Sequence, residues 1–174
     1  MKKIKLSNEV IVSDPCYEVP TWCQIIVSDV LPGEYVSEIT RIDLDGWGNR
    51  VSTLSCVHKD YIERQLELSW VEHSGTIGVD SGQAGIFSME SYRKDKYVED
   101  LPKYGFGGMF PPTDIEGEEW YGHCCHLTLG NESWGVYDEG VVSSSGVGDG
   151  SYPLFVLMDG EKTVGFLIDF CLEE

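Results

Sequence analysis

Short runs of β-branched and aromatic residues dominate the chain, and residues that favour turns separate them. Residues 10–13 form the first run and residues 24–30 the second, and a proline-containing pair follows each of them. Residues 34–44 alternate apolar and polar side chains, which is typical of a strand with one buried face. Many short strands at this spacing predict a mainly β fold, either a single-domain antiparallel β-sandwich or a partly closed barrel.

Two Asp-Gly pairs lie between apolar runs and predict hairpin turns. The runs and their turns are residues 34–44 and 50–57 around Asp45-Gly46, and residues 151–158 and 162–171 around Asp159-Gly160. A glycine in such a turn adopts a positive φ at no steric cost, so both pairs favour a short reversal of the chain. The second hairpin is expected to close the sheet.

The remaining segments divide into further strands, one helical segment and one loop. Strands are expected at residues 66–72, 76–79, 122–129 and 134–143. Helical signals are fewer, and the strongest covers residues 88–98, where Ser88 is a candidate N-cap. The sequence therefore predicts one or two short helices, while residues 103–114, rich in glycine, proline and aromatic residues, predict a loop.

The length of 174 residues fits one domain that buries its own core. The longest apolar run, residues 154–158, is far shorter than the about 20 residues that span a bilayer. The basic N-terminus is not followed by the apolar segment of a signal peptide. These features predict a cytoplasmic protein that does not bind membranes, in which the six cysteines are free thiols or metal ligands rather than disulfides.

The formal net charge is −18, and the charge is unevenly distributed. From Asp114 to the C-terminus there are 13 acidic residues and one basic residue, Lys162. Such a chain is repelled by phosphate backbones, so direct binding of DNA or RNA is disfavoured, whereas a basic protein partner is favoured. The candidate partner-binding residues in this segment are Glu116, Glu118, Glu119, Glu132, Asp138 and Glu139.

Three loop motifs carry a resemblance. They are Ser13-Asp14-Pro15-Cys16-Tyr17, then Gly78-Val79-Asp80-Ser81-Gly82, and finally the glycine-rich segment 144–153, Ser-Ser-Gly-Val-Gly-Asp-Gly-Ser-Tyr-Pro. Together they resemble a family of small bacterial and phage proteins defined only as a domain of unknown function, with D-P-x-Y, G-V-D-x-G and S-S-G-x-G-D-G-x-Y-P motifs. The resemblance covers residues 13–170 and implies a β-rich single domain without implying an activity.

Each of these motifs contributes one aspartate: Asp14, Asp80 and Asp149. The loops at one end of a β-sandwich lie close together, so the three carboxylates could meet at one site. A carboxylate trio that binds a divalent metal is the chemistry of a metal-dependent hydrolase. The glycine-rich loop is equally consistent with an anion-binding backbone nest or with a tight turn in which Asp149 bonds its own backbone.

The segment His123-Cys124-Cys125-His126 predicts a second type of site. If this segment is a strand, alternation places Cys124 and His126 on one face and the alternative pair, His123 and Cys125, on the other. Together with Cys16 and Cys23, either pair completes the Cys₃His set of a structural zinc site. The alternative is that the cysteines are buried apolar thiols in a reducing cell.

Two functions follow from these features. The first is a non-catalytic inhibitor or immunity-type protein, for example a phage anti-defence or anti-CRISPR protein in the host cytoplasm, whose carboxylates occupy the phosphate sites of a basic, nucleic-acid-binding effector. The second is the hydrolase that uses Asp14, Asp80 and Asp149. No basic or nucleophilic residue accompanies these three aspartates at a telling spacing, so the first hypothesis is preferred.

Overall fold

The computed structural model describes residues 1–95 and 115–172. Within these residues the chain forms eleven strands and one α-helix. The strands are β1 (Lys2–Leu6), β2 (Val10–Ser13), β3 (Ile25–Val27), β4 (Gly33–Leu44), β5 (Gly48–His58), β6 (Trp70–Val79), β7 (Gln83–Ser88), β8 (Trp134–Val136), β9 (Gly140–Ser144), β10 (Gly150–Asp159) and β11 (Lys162–Asp169). The helix α1 spans Glu118–Leu129, and Lys59–Tyr61 form a short 3₁₀ turn.

The strands form two antiparallel sheets, in the orders β1-β4-β5-β11-β10-β6 and β3-β2-β7-β9-β8. Both orders are open, so the fold is a sandwich and the prediction of a mainly β domain is confirmed. The main core lies between the sheets and is filled by large side chains without exposed surface, among them Tyr35, Leu154 and Phe166. Each such side chain contributes about 1.5–3 kcal/mol through burial of its apolar area.

Two smaller clusters cover the outer faces of the sandwich. Helix α1 packs on the five-stranded sheet, where Trp120 contacts Phe87 and Tyr92 edge-on, with ring centroids 4.9 and 5.0 Å away. On the six-stranded sheet, Tyr61 and Ile62, together with other side chains of the 3₁₀ turn and the segment that follows it, pack over the outer face. The helix is therefore held by aromatic packing rather than by its own length.

Both predicted hairpins are present. Leu44 pairs with Gly48 around the first turn, and Asp159 pairs with Lys162 around the second. Gly46 and Gly160 have φ of 83° and 60°, the left-handed conformation that glycine adopts without a steric penalty. The hairpin prediction succeeded because the turn residues and the flanking alternation are both local signals.

The prediction of a strand at residues 122–129 is wrong, because these residues belong to α1. The start of the helix is satisfied from far away in sequence: the Asp95 carboxylate accepts hydrogen bonds from the backbone N–H groups of Gly117 and Trp120, both at 2.9 Å. A sequence window around the helix contains no such cap. The buried residues of α1 follow helical spacing: Trp120, Cys124 and Thr128 are four positions apart and face the sheet.

The predicted helix at residues 88–98 is also absent from its described part. Ser88 is the last residue of β7, and the chain continues through a single turn to Arg93, which has a φ of 52°. Residues 96–98, like the predicted loop at 103–114, lie outside the described residues. Among the described residues, no helix combines the length and apolarity required to cross a membrane.

Ser143 gives a test of the core. Its hydroxyl is fully buried in β9, and within residues 1–95 and 115–172 it has no hydrogen-bond partner. We expect Ser143→Ala to raise the free energy of unfolding by about 1 kcal/mol, because the unpaired hydroxyl no longer has to be desolvated. The measurement is urea denaturation followed by tryptophan fluorescence. The matched control is Ser88→Ala, which removes a buried hydroxyl that accepts the Ser7 N–H at 3.0 Å and should cost about 1 kcal/mol. If Ser143→Ala were the more damaging of the two, this account of the core would be wrong.

Candidate functional site

The Asp14 carboxylate is the most strongly hydrogen-bonded group at the loop end of the sandwich. Oδ1 accepts from the Cys16 N–H at 2.8 Å and from the Ser81 hydroxyl at 2.6 Å. Oδ2 accepts from the backbone N–H groups of Asp80 and Ser81 at 2.9 and 2.7 Å. The residue is 0% exposed. Four donors use the acceptor positions that a carboxylate offers, so Asp14 binds the second motif to the first.

Two side chains from the turn after β7 hold the same loop from the other side. The Tyr92 hydroxyl donates to the Tyr17 carbonyl at 2.7 Å, and the Arg93 guanidinium donates to the Pro15 carbonyl at 2.9 Å. The Tyr17 hydroxyl in turn donates to Asp80 Oδ2 at 2.5 Å, a bond that raises the pKa of Tyr17. The D-P-x-Y and G-V-D-x-G motifs are therefore parts of one junction, which we call the Asp14 junction.

The three motif aspartates have different surroundings. Asp14 is buried, whereas Asp80 and Asp149 are exposed. The third motif reaches the junction through its backbone, since the Ser145 N–H donates to the Gly82 carbonyl at 3.0 Å. Within residues 1–95 and 115–172, no group of three or more His, Cys, Asp or Glu side chains could hold a metal ion. The arrangement thus shows how Asp14 and Asp80 serve the fold and adds no support for the hydrolase alternative.

The glycine-rich loop itself is tied down by its own side chains. The Ser145 hydroxyl donates to the Gly148 carbonyl at 2.8 Å, and the Tyr152 hydroxyl donates to the same carbonyl at 2.7 Å. The N–H of Gly148 returns a hydrogen bond to the Ser145 carbonyl at 3.0 Å. These bonds are those of a tight turn between β9 and β10.

The predicted zinc ligands lie on several elements. Cys23 is buried behind Gly78, whose N–H donates to the Cys23 carbonyl at 3.0 Å. Cys124 is fully buried under α1, while His126 is exposed. Residues two apart on a helix project about 200° apart, so the strand alternation that paired Cys124 with His126 does not apply. The side chains of the alternative pair, His123 and Cys125, also have different neighbours. The Cys125 thiol accepts a hydrogen bond from Gln83 Nε2 at 3.4 Å, whereas His123 stacks on Tyr137.

The environments of Cys16 and Cys124 favour the protonated thiol. Burial, followed by the nearby Asp14 carboxylate, raises the pKa of Cys16 to about 12. Burial also raises the pKa of the Cys124 thiol well above its usual range. Zinc binds the thiolate form, so a metal at these positions would first have to displace the protons. The zinc site remains a prediction, for which thiol reactivity provides a test.

A set of carboxylates surrounds the N-terminal half of α1. The Tyr137 and His123 rings stack with centroids 4.5 Å apart. Burial raises the pKa of Tyr137 to about 12, with further contributions from the nearby Asp138, Asp95 and Glu119 carboxylates. Burial lowers the pKa of His123, while Glu119 opposes that shift. The Asp95, Glu119 and Asp138 carboxylates thus act on one aromatic pair, and together with the neighbouring Glu118 they form what we call the α1 acidic surface.

The six predicted partner-binding residues do not all belong to this surface. Glu118, Glu119 and Asp138 do, although Glu118 and Glu119 also stabilise the positive end of the helix dipole. Glu139 instead lines a cavity together with Lys5 and Glu90. Glu116 makes an ion pair with Lys94 at 3.1 Å. Glu132 lies elsewhere, paired with Lys2 at 2.5 Å, and Lys2 also lies over the Trp134 ring.

Sequence reasoning missed three residues of the site. Tyr92, Arg93 and Asp95 all fell inside the expected helix at residues 88–98, and none of them belonged to a motif. Each acts on residues more than twenty positions away: Tyr92 on Tyr17, Arg93 on Pro15 and Asp95 on Gly117. The only local signal was the Asp-Pro pair, which marks a turn whose carboxylate bonds nearby backbone N–H groups.

No family model, curated protein or solved structure shows significant similarity to the chain. The resemblance to the domain family therefore stays a prediction.

Replacing Asp14 tests the junction. Asp14→Asn leaves the shape but turns one acceptor oxygen into a donor that faces N–H and O–H groups. We expect the free energy of unfolding to fall by about 3 kcal/mol, because buried donors lose their charged acceptor. Urea denaturation measures the change. Asp80→Asn, at an exposed carboxylate that accepts the Tyr17 hydroxyl, is the control and should cost less than about 1 kcal/mol. Equal losses in both variants would contradict the structural role of Asp14.

Thiol alkylation distinguishes neutral thiols from zinc ligands. With a pKa of about 12, Cys16 is almost entirely protonated at pH 8, so its reaction with iodoacetamide should be slow and should accelerate about tenfold per pH unit. The exposed Cys171 is expected to react first. Peptide mass spectrometry after timed quenching assigns the rates. If Cys16 reacted only after a chelator was added, and elemental analysis found one zinc per chain, the predicted zinc site would be correct.

Proposed function

We propose that the protein is a non-catalytic binding protein that uses the α1 acidic surface to capture a basic, nucleic-acid-binding partner. In this role it acts as an inhibitor or immunity-type protein of the kind that phage anti-defence and anti-CRISPR proteins exemplify. The observation that supports the proposal is the placement of three carboxylates around the Tyr137–His123 stack: Glu119 lies one helical turn before His123, Asp138 follows Tyr137, and Asp95 bonds the first N–H groups of α1. Basic surfaces that bind phosphates also bind such carboxylates, since both present negative oxygens to Arg and Lys.

The aromatic pair adds to this chemistry. Arginine stacks on aromatic faces while its guanidinium bonds carboxylates, so a ring pair edged by carboxylates matches both preferences. Tyr137 is half-buried and therefore presents part of its surface beside the carboxylates. Like-charged nucleic acid is repelled by the same surface, and the net charge of −18 attracts a basic partner over longer distances.

The state of the thiols agrees with a binding role. A cysteine nucleophile acts as a thiolate, and the raised pKa values of Cys16 and Cys124 keep both protonated near pH 7. The Asp14 carboxylate is occupied by four donors of its own chain. These groups contribute to the fold instead of standing ready for a reaction.

Charge neutralisation with a matched control tests the proposal. The first variant combines Glu118→Gln, Glu119→Gln and Asp138→Asn, where asparagine also tolerates the φ of 52° at position 138. The control combines Asp45→Asn, Glu63→Gln and Glu161→Gln, three exposed carboxylates elsewhere that give the same change in net charge. The partner is recovered on immobilised protein from a nuclease-treated bacterial lysate, and displacement of labelled DNA or RNA from that partner is followed by fluorescence anisotropy.

The wild type and the control should displace the nucleic acid. The potency of both proteins should fall steeply as the salt concentration rises. The α1 variant should need about tenfold more protein for half displacement, since several charge contacts are lost together. Circular dichroism checks that α1 remains folded. Equal potency of both variants would rule out capture through the α1 acidic surface.

A further inference from the structure

Strand β6 forms one edge of the six-stranded sheet. In the part of the chain that the structure describes, its backbone pairs with β10 on one side only. On the other side, one bond closes its C-terminal end, where the Gly78 N–H donates to the Cys23 carbonyl at 3.0 Å. The register with β10 shifts between Pro153 and Phe155, so a bulge at residues 73–75 divides the edge.

The outward-pointing amides of β6 follow from the register. Since the Gly78 N–H points away from β10, two-residue alternation makes the Thr76 N–H point the same way. Thr76 lies opposite Pro153, which has no N–H and cannot take part in a hydrogen-bonded pair. Phe155 is two residues further along β10 and lies opposite Glu72, so the Glu72 amide also points outward. Glu72 and Thr76 therefore offer backbone groups to an added strand on both sides of the bulge.

The edge lacks two of the usual protections against strand addition. Natural edge strands are commonly blocked by lysine or proline, and β6 contains neither. Residues 65–92 contain no Lys or Arg, whereas they contain Glu67, Glu72, Asp80 and Glu90. The charge along this edge is therefore negative, which repels acidic segments and attracts basic ones.

Exposed apolar side chains lie at both ends of the edge. Val71 is 50% exposed in the N-terminal half of β6. Trp22, which precedes the Cys23 that bonds Gly78, is 93% exposed. An exposed tryptophan at the end of an open strand edge is typical of an interaction surface.

We propose that an extended, basic segment of the partner adds to the six-stranded sheet along β6. The positive charge of the partner is taken from the proposed function, and this part of the inference rests on it. The location of the binding site is inferred from the outward-pointing backbone groups of β6. A second copy of the chain is a less suitable occupant, because two molecules of net charge −18 repel each other. In strand addition the backbone bonds provide affinity, and alternate side chains provide selectivity.

The probe is a synthetic peptide of alternating arginine and valine. The comparison probe is the same peptide with N-methyl groups on alternate amides, which keeps the charge and removes the backbone donors. The unmodified peptide should bind at least about tenfold more tightly, measured by isothermal titration calorimetry. On its addition, the Glu72 and Thr76 amides should become protected from hydrogen exchange, measured by NMR. Equal binding of both peptides, or no binding, would overturn the inference.

Variants of the edge strand test the same point on the protein. Thr76→Pro removes an outward N–H without breaking the ladder to β10, and Thr76→Val keeps that N–H. Glu72→Lys places a blocking charge at the edge and covers the case in which the proline variant fails to fold. We expect Thr76→Pro and Glu72→Lys to weaken the peptide about tenfold and Thr76→Val to bind as the wild type does. Unchanged binding in both of the first two variants would overturn the proposal.

Three further outcomes separate the possibilities. A dimer in analytical ultracentrifugation that Thr76→Pro abolishes would assign the edge to a second copy and overturn the partner assignment. If neutralising the α1 acidic surface weakened the partner while the two peptides bound equally, the proposed function would stand and the β6 inference would fail. If the peptides differed as expected while the α1 variant kept full potency, the β6 inference would stand and the proposed function would fail.

Discussion

The burial of one carboxylate, that of Asp14, is the interaction on which the loop end of this sandwich depends. A charge in such a place costs several kcal/mol unless donors surround it, and here the Cys16, Asp80 and Ser81 backbone N–H groups and the Ser81 hydroxyl do so. The donors belong to two loops far apart in sequence. Satisfying the carboxylate therefore fixes the 13–17 loop against the 80–82 loop, and with them the ends of β2, β6 and β7.

The same junction determines where helix α1 begins. Arg93 bonds the carbonyl of Pro15 and packs against Gly117, where a side chain would come within 3.0 Å of it. Asp95, two residues on, bonds the first N–H groups of α1. The α1 acidic surface is thus positioned by contacts that lead back to Asp14. A protein that presents carboxylates to a partner needs such rigidity, since loose side chains lose entropy on binding.

The α1 acidic surface and the β6 edge would act on different properties of a partner. Carboxylates attract a basic protein from a distance. This attraction weakens as the salt concentration rises, because it is largely Coulombic. Backbone hydrogen bonds along an edge strand depend on direction and register, and salt affects them much less. A partner with a basic, extended segment meets both requirements, and one that has only positive charge meets the first.

The sequence by itself determined most of the strands and both Asp-Gly hairpins, because β-branched alternation and Asp-Gly turns act between near neighbours. It also marked Asp14 and Asp80 as residues of interest, but as candidate metal ligands. The tertiary structure decided their role, since three of the four donors to Asp14 come from Asp80 and Ser81, which lie 66 and 67 residues away. It likewise decided that residues 118–129 are a helix, because both the cap from Asp95 and the aromatic surface beneath Trp120 come from outside that segment. Because this segment is a helix, the Cys124 side chain is buried and the His126 side chain is exposed. Local periodicity specifies an element when its stabilising contacts are local, and it fails where they come from distant parts of the chain.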